Sequence, residues 1–325
     1  MHRISAVFAL VTLFALAVAA FALALSVGSV AIEPASVLRA LLASGDETQR
    51  TIVRELRLPR AIAAFAAGGA LALAGALLQV LLRNPLADPY VLGVSGGAAA
   101  GALTAMLLGA ALWLVPAGAF GGAFASTVIV FSLARGRGAW SPTRLLLTGV
   151  VVAAGWGAVV ALILSLAPET QLRGMLFWLI GDLSAPPVAW STLAALVIAL
   201  AAALPFARDL NALARGETTA AALGVDVERL PWLLFALAAL LTATAVTTAG
   251  AIGFVGLIVP HAVRLVIGND QRVLFPASAL AGGALLLVAD TLARQITAPA
   301  QLPTGVITAL IGVPTFLYLL RREHR

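Results

Sequence analysis

Arginine is the chemically richest residue in this chain, and it is unevenly spread. The twenty Lys+Arg positions are all arginine, and Arg50, Arg54, Arg57 and Arg60 fall within a single short stretch. A guanidinium pairs bidentately with carboxylates and phosphates, so such a cluster is suited to holding an acidic partner or lipid headgroups. Asp290 and Arg294, in LLLVADTLAR, stand at i,i+4 and read as an interfacial salt bridge. The other notable acids, Asp88, Glu169 and Asp182, fall near the ends of apolar runs. That leaves no relay of acids in mid-membrane, as a proton-coupled carrier would need.

The absences are as informative. With no cysteine, thiolate metal sites and cysteine nucleophiles are excluded. With no lysine, the chain cannot carry the phosphate-binding loop GxxxxGK[ST], so any ATP must bind to another polypeptide. The histidines are His2, His261 and His324, with no HExxH and no paired carboxylates to hold a metal. Ser95, in GVSGGA, could suggest a nucleophile, but we expect no histidine at membrane depth to serve as its base. These residues do no bond chemistry.

The elements that must position them are membrane helices. The chain has 325 residues, is 62% hydrophobic and only 10% charged, where a soluble domain carries about a quarter charged residues. Spans are expected at 5–27, 60–82, 91–109, 113–134, 143–166, 187–206, 230–249, 252–266, 274–293 and 303–320. The first is read as an uncleaved helix rather than a signal peptide, because its apolar stretch is long. The fold class is therefore all-α, a polytopic membrane protein of about ten transmembrane helices forming a single domain over 1–325.

Ten spans place both termini on one side. With the termini inside, Arg3, Arg83, Arg135, Arg137, Arg144, Arg208, Arg215, Arg229, Arg264, Arg272, Arg321, Arg322 and Arg325 are cytoplasmic. Only Arg39, Arg50, Arg54, Arg57, Arg60, Arg173 and Arg294 are outside, so the charge bias favours that orientation. The basic balance reports orientation in a membrane and not affinity for nucleic acid. Two connections are long: 28–59 outside, and 207–229 inside, which reads as two short helical pieces broken at Gly216 and Gly224. The inner one is either an amphipathic linker or a docking element for a cytosolic partner.

Between the second and third spans lies RNPLADPYVLGVSGGAAAGA (83–102). Pro85 and Pro89 should stop the second helix sharply. Gly97 and Gly101 form a small-xxx-small pair suited to close helix packing. A faint echo joins AGALLQVLLRNP (74–85) to AGAIGFVGLIVP (249–260), as in transporters built from repeats.

Three blocks in the same order, RLPRAIAAFAAGGALALAGALLQVLLRNPLADPYVLGVSGGAAAGA (57–102), AGAIGFVGLIVPHAVRLVIGNDQRVLFPASALAGGALLLVADTLAR (249–294) and LPTGVITALIGVPTFLYLLRR (302–322), resemble the permease subunits of type II ABC importers for cobalamin, ferric siderophores and haem, the BtuC/FecCD family. The resemblance implies a homodimer, two cytosolic ATPase subunits that bind ATP and Mg, and a periplasmic substrate-binding protein, in a bacterial inner membrane. This chain itself would bind no cofactor and no metal. On the matching positions, Arg57, Arg60 and Arg294 would dock the binding protein. Asn84, Leu86, Ser141 and Thr143 would line the cytoplasmic gate. Gly216, Glu217, Leu223 and Gly224, within a coupling segment of about 210–228, would meet the ATPase. Tyr90 either tunes passage or anchors at the interface. The implied function is alternating-access import of an iron chelate, with cobalamin as the alternative and a proton-coupled carrier as the rival from another class.

Overall fold

The computed structural model describes residues 6–28, 30–111, 113–135, 141–184, 189–298 and 300–323. His2, Arg3, Arg137, His324 and Arg325 lie outside the described residues. Among the described residues the fold is all helical, with no strand: α1 (Ala6–Ser26), α2 (Pro34–Leu41), α3 (Glu47–Thr51), α4 (Leu58–Leu81), α5 (Val94–Leu107), α6 (Leu114–Arg135), α7 (Pro142–Leu166), α8 (Glu169–Ile180), α9 (Ala189–Ala203), α10 (Ala207–Leu213), α11 (Glu217–Ala222), α12 (Arg229–Ala249), α13 (Val255–Ile267), α14 (Gln271–Gln295) and α15 (Thr304–Glu323). Lipid offers no partner to a backbone amide, so apolar runs of this length satisfy their own hydrogen bonds as helices. Among the described residues seven helices are long and apolar enough to cross a membrane, and α5, α13 and α15 are shorter apolar helices. Together they occupy the ten expected places.

Helix α4 is the axis of the bundle. From Arg60 to Leu81 every residue but Phe65 is buried, and α9, α12, α13 and α14 pack around it. Its sequence permits this because glycine lets a neighbouring backbone approach. A Cβ added to Gly68 would stand 2.3 Å from the carbonyl oxygen of Gly282 on α14, and one on Gly75 only 1.8 Å from that of Gly256 on α13. The expected small-residue pair serves the same purpose on α5: Gly97 and Gly101 abut Gly122 and Gly118 of α6, with hypothetical Cβ distances of 2.4 and 2.0 Å to their carbonyl oxygens. By contrast, α7 buries only Leu145, Gly149 and Ile163 within the chain.

Three sequence expectations change. Helix α8 lies within 167–186, which the expected spans leave as a connection, although a proline N-cap, an acidic first turn and an apolar MLFWLI run announce it. Its end is wedged between two glycines, since a Cβ on Gly250 or Gly305 would strike the carbonyl oxygen of Trp178 or Ile180 at 2.3 or 1.7 Å. The echo between 74–85 and 249–260 is no structural repeat. The first copy is helical from Ala74 to Leu81, while the second breaks between α12 and α13, where Gly250 and Phe254 take φ of +69° and +70°. Finally, His261 lies inside α13 at 2% exposure, so a histidine does sit within the bundle.

The two long connections carry structure. The first folds into α2, α3 and a π-helical stretch, Ile52–Arg57, that runs into α4. The second forms α10 and α11, the two short pieces expected, separated at Gly216 (φ +125°) and ended at Gly224 (φ +82°).

Candidate functional sites at the two ends of the bundle

At one end, Asp290 gathers the arginines. It is fully buried, so the interfacial salt bridge expected with Arg294 is instead an interior hub. Arg60 grips it through Nε, at 3.0 and 3.1 Å from the two carboxylate oxygens, and through Nη2 at 2.8 Å from Oδ1. Arg294 adds an ion pair from Nε to Oδ2 at 3.2 Å, and the Thr304 hydroxyl donates to Oδ1 at 3.1 Å. Arg60 also donates from Nη1 to Gln301 Oε1 at 2.8 Å. The network therefore ties the start of α4 to the end of α14 and the start of α15.

Arg57 is held differently. Its Nη1 donates to the carbonyls of Leu25 and Ser26 at 2.7 and 3.0 Å, and its Nη2 donates to that of Val30. Arg294 reaches the carbonyls of Ala24 and Val27 at 3.3 and 3.4 Å. Both guanidiniums thus cap the C-terminal end of α1, where orphan carbonyls and the negative end of the helix dipole favour cations. Arg57 and Arg60 are only 6% and 8% exposed. Arg54, one turn before Arg57, is exposed. The three predicted docking arginines are thus brought together, each already engaged by its own chain.

At the other end, α4 stops at the turn predicted from its prolines. The Asn84 amide donates to the Gln79 carbonyl at 3.1 Å and the Arg83 amide to that of Val80 at 3.1 Å, the paired closure of a Schellman motif. Asn84 Oδ1 then accepts the Leu86 amide at 2.9 Å, which folds the RNPL turn upon itself. Leu86 is 37% exposed and Asn84 is exposed as well. Asp88 accepts the Tyr90 amide at 2.8 Å, and Tyr90 donates its hydroxyl to the Ile252 carbonyl at 2.7 Å. Tyr90 is therefore an anchor inside the chain, pinning this turn to the break between α12 and α13. Ser141 caps α7, accepting the Arg144 amide at 3.4 Å with Pro142 in the first turn, and Thr143 is exposed beside it. Helix α7 then runs against the same turn, since a Cβ on Gly149 would stand 2.3 Å from the Val91 carbonyl oxygen.

The segment 207–229 lies at this end too. Arg83 Nη2 pairs with Glu217 Oε1 at 2.9 Å. Asn211 is a second tie: it donates to Asp270 Oδ1 at 2.9 Å and accepts the Gln271 amide at 2.9 Å. The Asn211 hydrogen bond is the largest cause holding the Asp270 carboxyl below the usual carboxylate range, with the Arg272 amide and charge adding to it against partial burial. Leu223 at the end of α11 is 68% exposed, and nothing lies within 4 Å of a Cβ built on Gly216 or Gly224. Sequence reasoning reached Glu217 and Leu223 but not Asn211, whose polar side chain in a polar connection gives no signal of its partner.

The cavities among the described residues include two small ones. One of about 190 Å³ lies among α2 and the 44–49 turn, and one of about 270 Å³ lies between α1 and α13. Both fall short of the ~300–1,000 Å³ typical of small-molecule sites. Among the described residues no group of histidine, aspartate or glutamate could hold a metal ion.

Comparison with known proteins agrees with this build. The FecCD transport family matches residues 16–322. The cobalamin import system permease protein BtuC of Halobacterium salinarum is 47% identical over 86% of this chain and 76% of its own length. The hemin transport system permease protein HmuU of Yersinia pestis is 42% identical over 83% of each chain. The Fe(3+) dicitrate transport system permease protein FecD of Escherichia coli is 40% identical over 83% of this chain and 85% of its own. A solved structure described as an inward-facing conformation of a metal-chelate type ABC transporter superposes with a TM-score of 0.85 at 30% identity, over 98% of this chain and 99% of that one.

Proposed function

The chain belongs to the FecCD transport family and is a multi-pass ABC importer permease, and from that premise we propose that two copies of it carry a bulky metal chelate into the cytoplasm by alternating access. The observation that supports this most is the two-ended design of α4. Its first turn carries the arginine network, and its last residue runs into the RNPL turn beside the 207–229 segment. A movement imposed at either end of such a buried rod reaches the other. Helix α7, which buries so little of itself, is available for lipid or for a second copy.

In this reading both termini are cytoplasmic and ATP is hydrolysed by two separate subunits. The exposed Leu223 with Gly216, Glu217 and Gly224 forms the coupling surface that meets them. Asn84, Leu86, Ser141 and Thr143 form the inner gate. The arginine network receives an acidic binding protein: Arg60 and Arg294 share one carboxylate while Arg57 is held by carbonyls alone, so the site keeps an excess of positive charge. Because Arg57 and Arg294 are also held by backbone carbonyls, docking carboxylates would replace weaker, neutral partners. Arg57→Gln and Arg294→Gln are expected to weaken the binding protein about tenfold or more, the loss of one charged hydrogen-bonded contact. Size-exclusion chromatography should show the ATPase complex intact, and an unchanged affinity would remove the docking role.

The cargo is an iron chelate or a corrinoid. Relatives named for haem and ferric dicitrate favour the first, and the 47%-identical relative named for cobalamin favours the second. Competition in proteoliposomes separates them. Labelled haem or ferric siderophore is expected to enter with ATP and to resist excess cobalamin, and the reverse pattern would make the chain a cobalamin permease.

A further inference from the structure

Arg83 occupies a position built for glycine. In a Schellman closure the residue after the helix cap is left-handed, and glycine serves there most often because a Cβ is disfavoured. At the end of α11 that residue is Gly224, with the Val225 amide on the Ala220 carbonyl and the Gly224 amide on that of Ala221. At the end of α4 the same pair of bonds closes on Arg83, at φ +49°. A long side chain held in a disfavoured backbone state calls for a reason, and the guanidinium supplies one, because it leaves the gate turn and pairs with Glu217 on α11.

The rest of the segment is arranged to use that pair. Helix α10 is fixed to the start of α14 by the two Asn211 bonds. Helix α11 hangs beyond it between Gly216 and Gly224, both left-handed and both free of steric neighbours. Its exposed Leu223 faces outward at one end, and Glu217 holds the gate turn at the other. We propose that the Arg83–Glu217 pair is the tie through which movement of α11 repositions the Asn84–Leu86 turn, with Arg83 and Glu217 as positioning residues and Asn211 as the fixed pivot. The purpose of this tie rests on the permease reading, while its existence as a linkage does not. Both side chains are 38% exposed, so the pair contributes little to stability and can break and re-form during a cycle.

The absence of cysteine makes the test direct. Leu86→Cys in nanodiscs, without ATPase or binding protein, gives a single thiol whose maleimide labelling rate reports the gate turn. Glu217→Arg and Arg83→Glu are each expected to change that rate about two- to fivefold, the shift one surface ion pair can impose on an equilibrium. The exchanged pair, Arg83→Glu with Glu217→Arg, should return it to the parent value. Arg83→Gly suits the backbone better than arginine, so it should fold at least as stably and still change the rate. Should a reversal fail to fold, Glu217→Gln takes its place with the same expectation. Unchanged rates in the single variants, or an exchanged pair that does not restore the parent rate, would overturn the tie. Failure of ATP-driven uptake in the parent protein would instead sink the permease reading and leave the linkage standing.

Discussion

Asp290→Ala is expected to remove most of the folded protein. Its carboxylate is the acid that Arg60 and Arg294 share, and it is inaccessible to water. Deleting one partner of a buried ion pair costs about 3–5 kcal/mol, because the remaining charge stays desolvated and unpaired. Here two guanidiniums would be left facing each other, beside the Thr304 hydroxyl that now donates to the lost oxygen. Against a total stability of about 5–15 kcal/mol, that is a large share. The expected result is a steep fall in monodisperse yield and melting temperature in detergent. Asp290→Asn, which keeps shape and hydrogen-bonding capacity, should fall less far. Replacing the hub pair with apolar residues, Arg60→Met with Asp290→Leu, should recover part of the loss. A normal melting temperature for Asp290→Ala would mean the network is not the clamp described.

A single methyl group at Gly75 should be comparably damaging. The added Cβ would lie 1.8 Å from the carbonyl oxygen of Gly256, backbone against backbone, so no rotamer change relieves it. Gly256 has no room to retreat, since its own Cβ position is 2.6 Å from Pro89 Cδ. Overpacking a tight core costs about 1–3 kcal/mol and occasionally more, and this contact must separate α4 from α13 to be accommodated. Gly157→Ala on α7 is the matched control: nothing lies within 4 Å of that Cβ, and alanine is the better helix former by about 1 kcal/mol. Thermal unfolding should therefore show a large loss for the first and none for the second. Equal effects would mean that the α4–α13 crossing is looser than the geometry describes.

These two residues also show what the sequence discloses. The helices were legible because runs of some twenty apolar residues have one stable form in lipid, and glycines at spacings of four advertised close packing. The break at Gly250–Phe254 was legible too, since the expected spans end at 249 and resume at 252 and the helices end at Ala249 and resume at Val255. Helix α8 was hidden because twelve residues do not span a bilayer, and length was the criterion for a span. At the end where α4 begins the arginine cluster stood out by composition, but Asp290 did not. Its i,i+4 spacing to Arg294 pointed to a neighbour on its own helix, whereas its strongest partner is Arg60, 230 residues away. The 207–229 segment showed its two glycine breaks plainly. Its ties to Arg83 and Asp270 depend on where α4 and α14 end in space, and no local spacing encodes that.

The same logic bears on the arginines. Sequence placed Arg57, Arg60 and Arg294 together as positive charge seeking an external acid. The structure shows the three engaged at once by Asp290 and by the carbonyls that end α1. A guanidinium with five donors can serve both ends of that description, holding its own helix terminus and offering what remains to a partner. That is why docking is proposed through Arg57 and Arg294 rather than through a reversal at Arg60, which would set a new carboxylate against Asp290.

The central claim is ATP-driven import, and uptake into proteoliposomes tests it most directly. Vesicles should contain this chain with its ATPase partner, and labelled chelate should be supplied with the binding protein. The account predicts that labelled chelate accumulates only when ATP and the binding protein are both present, and that collapsing the proton gradient leaves the rate unchanged. Uptake that follows an imposed proton gradient in vesicles lacking the ATPase would contradict it.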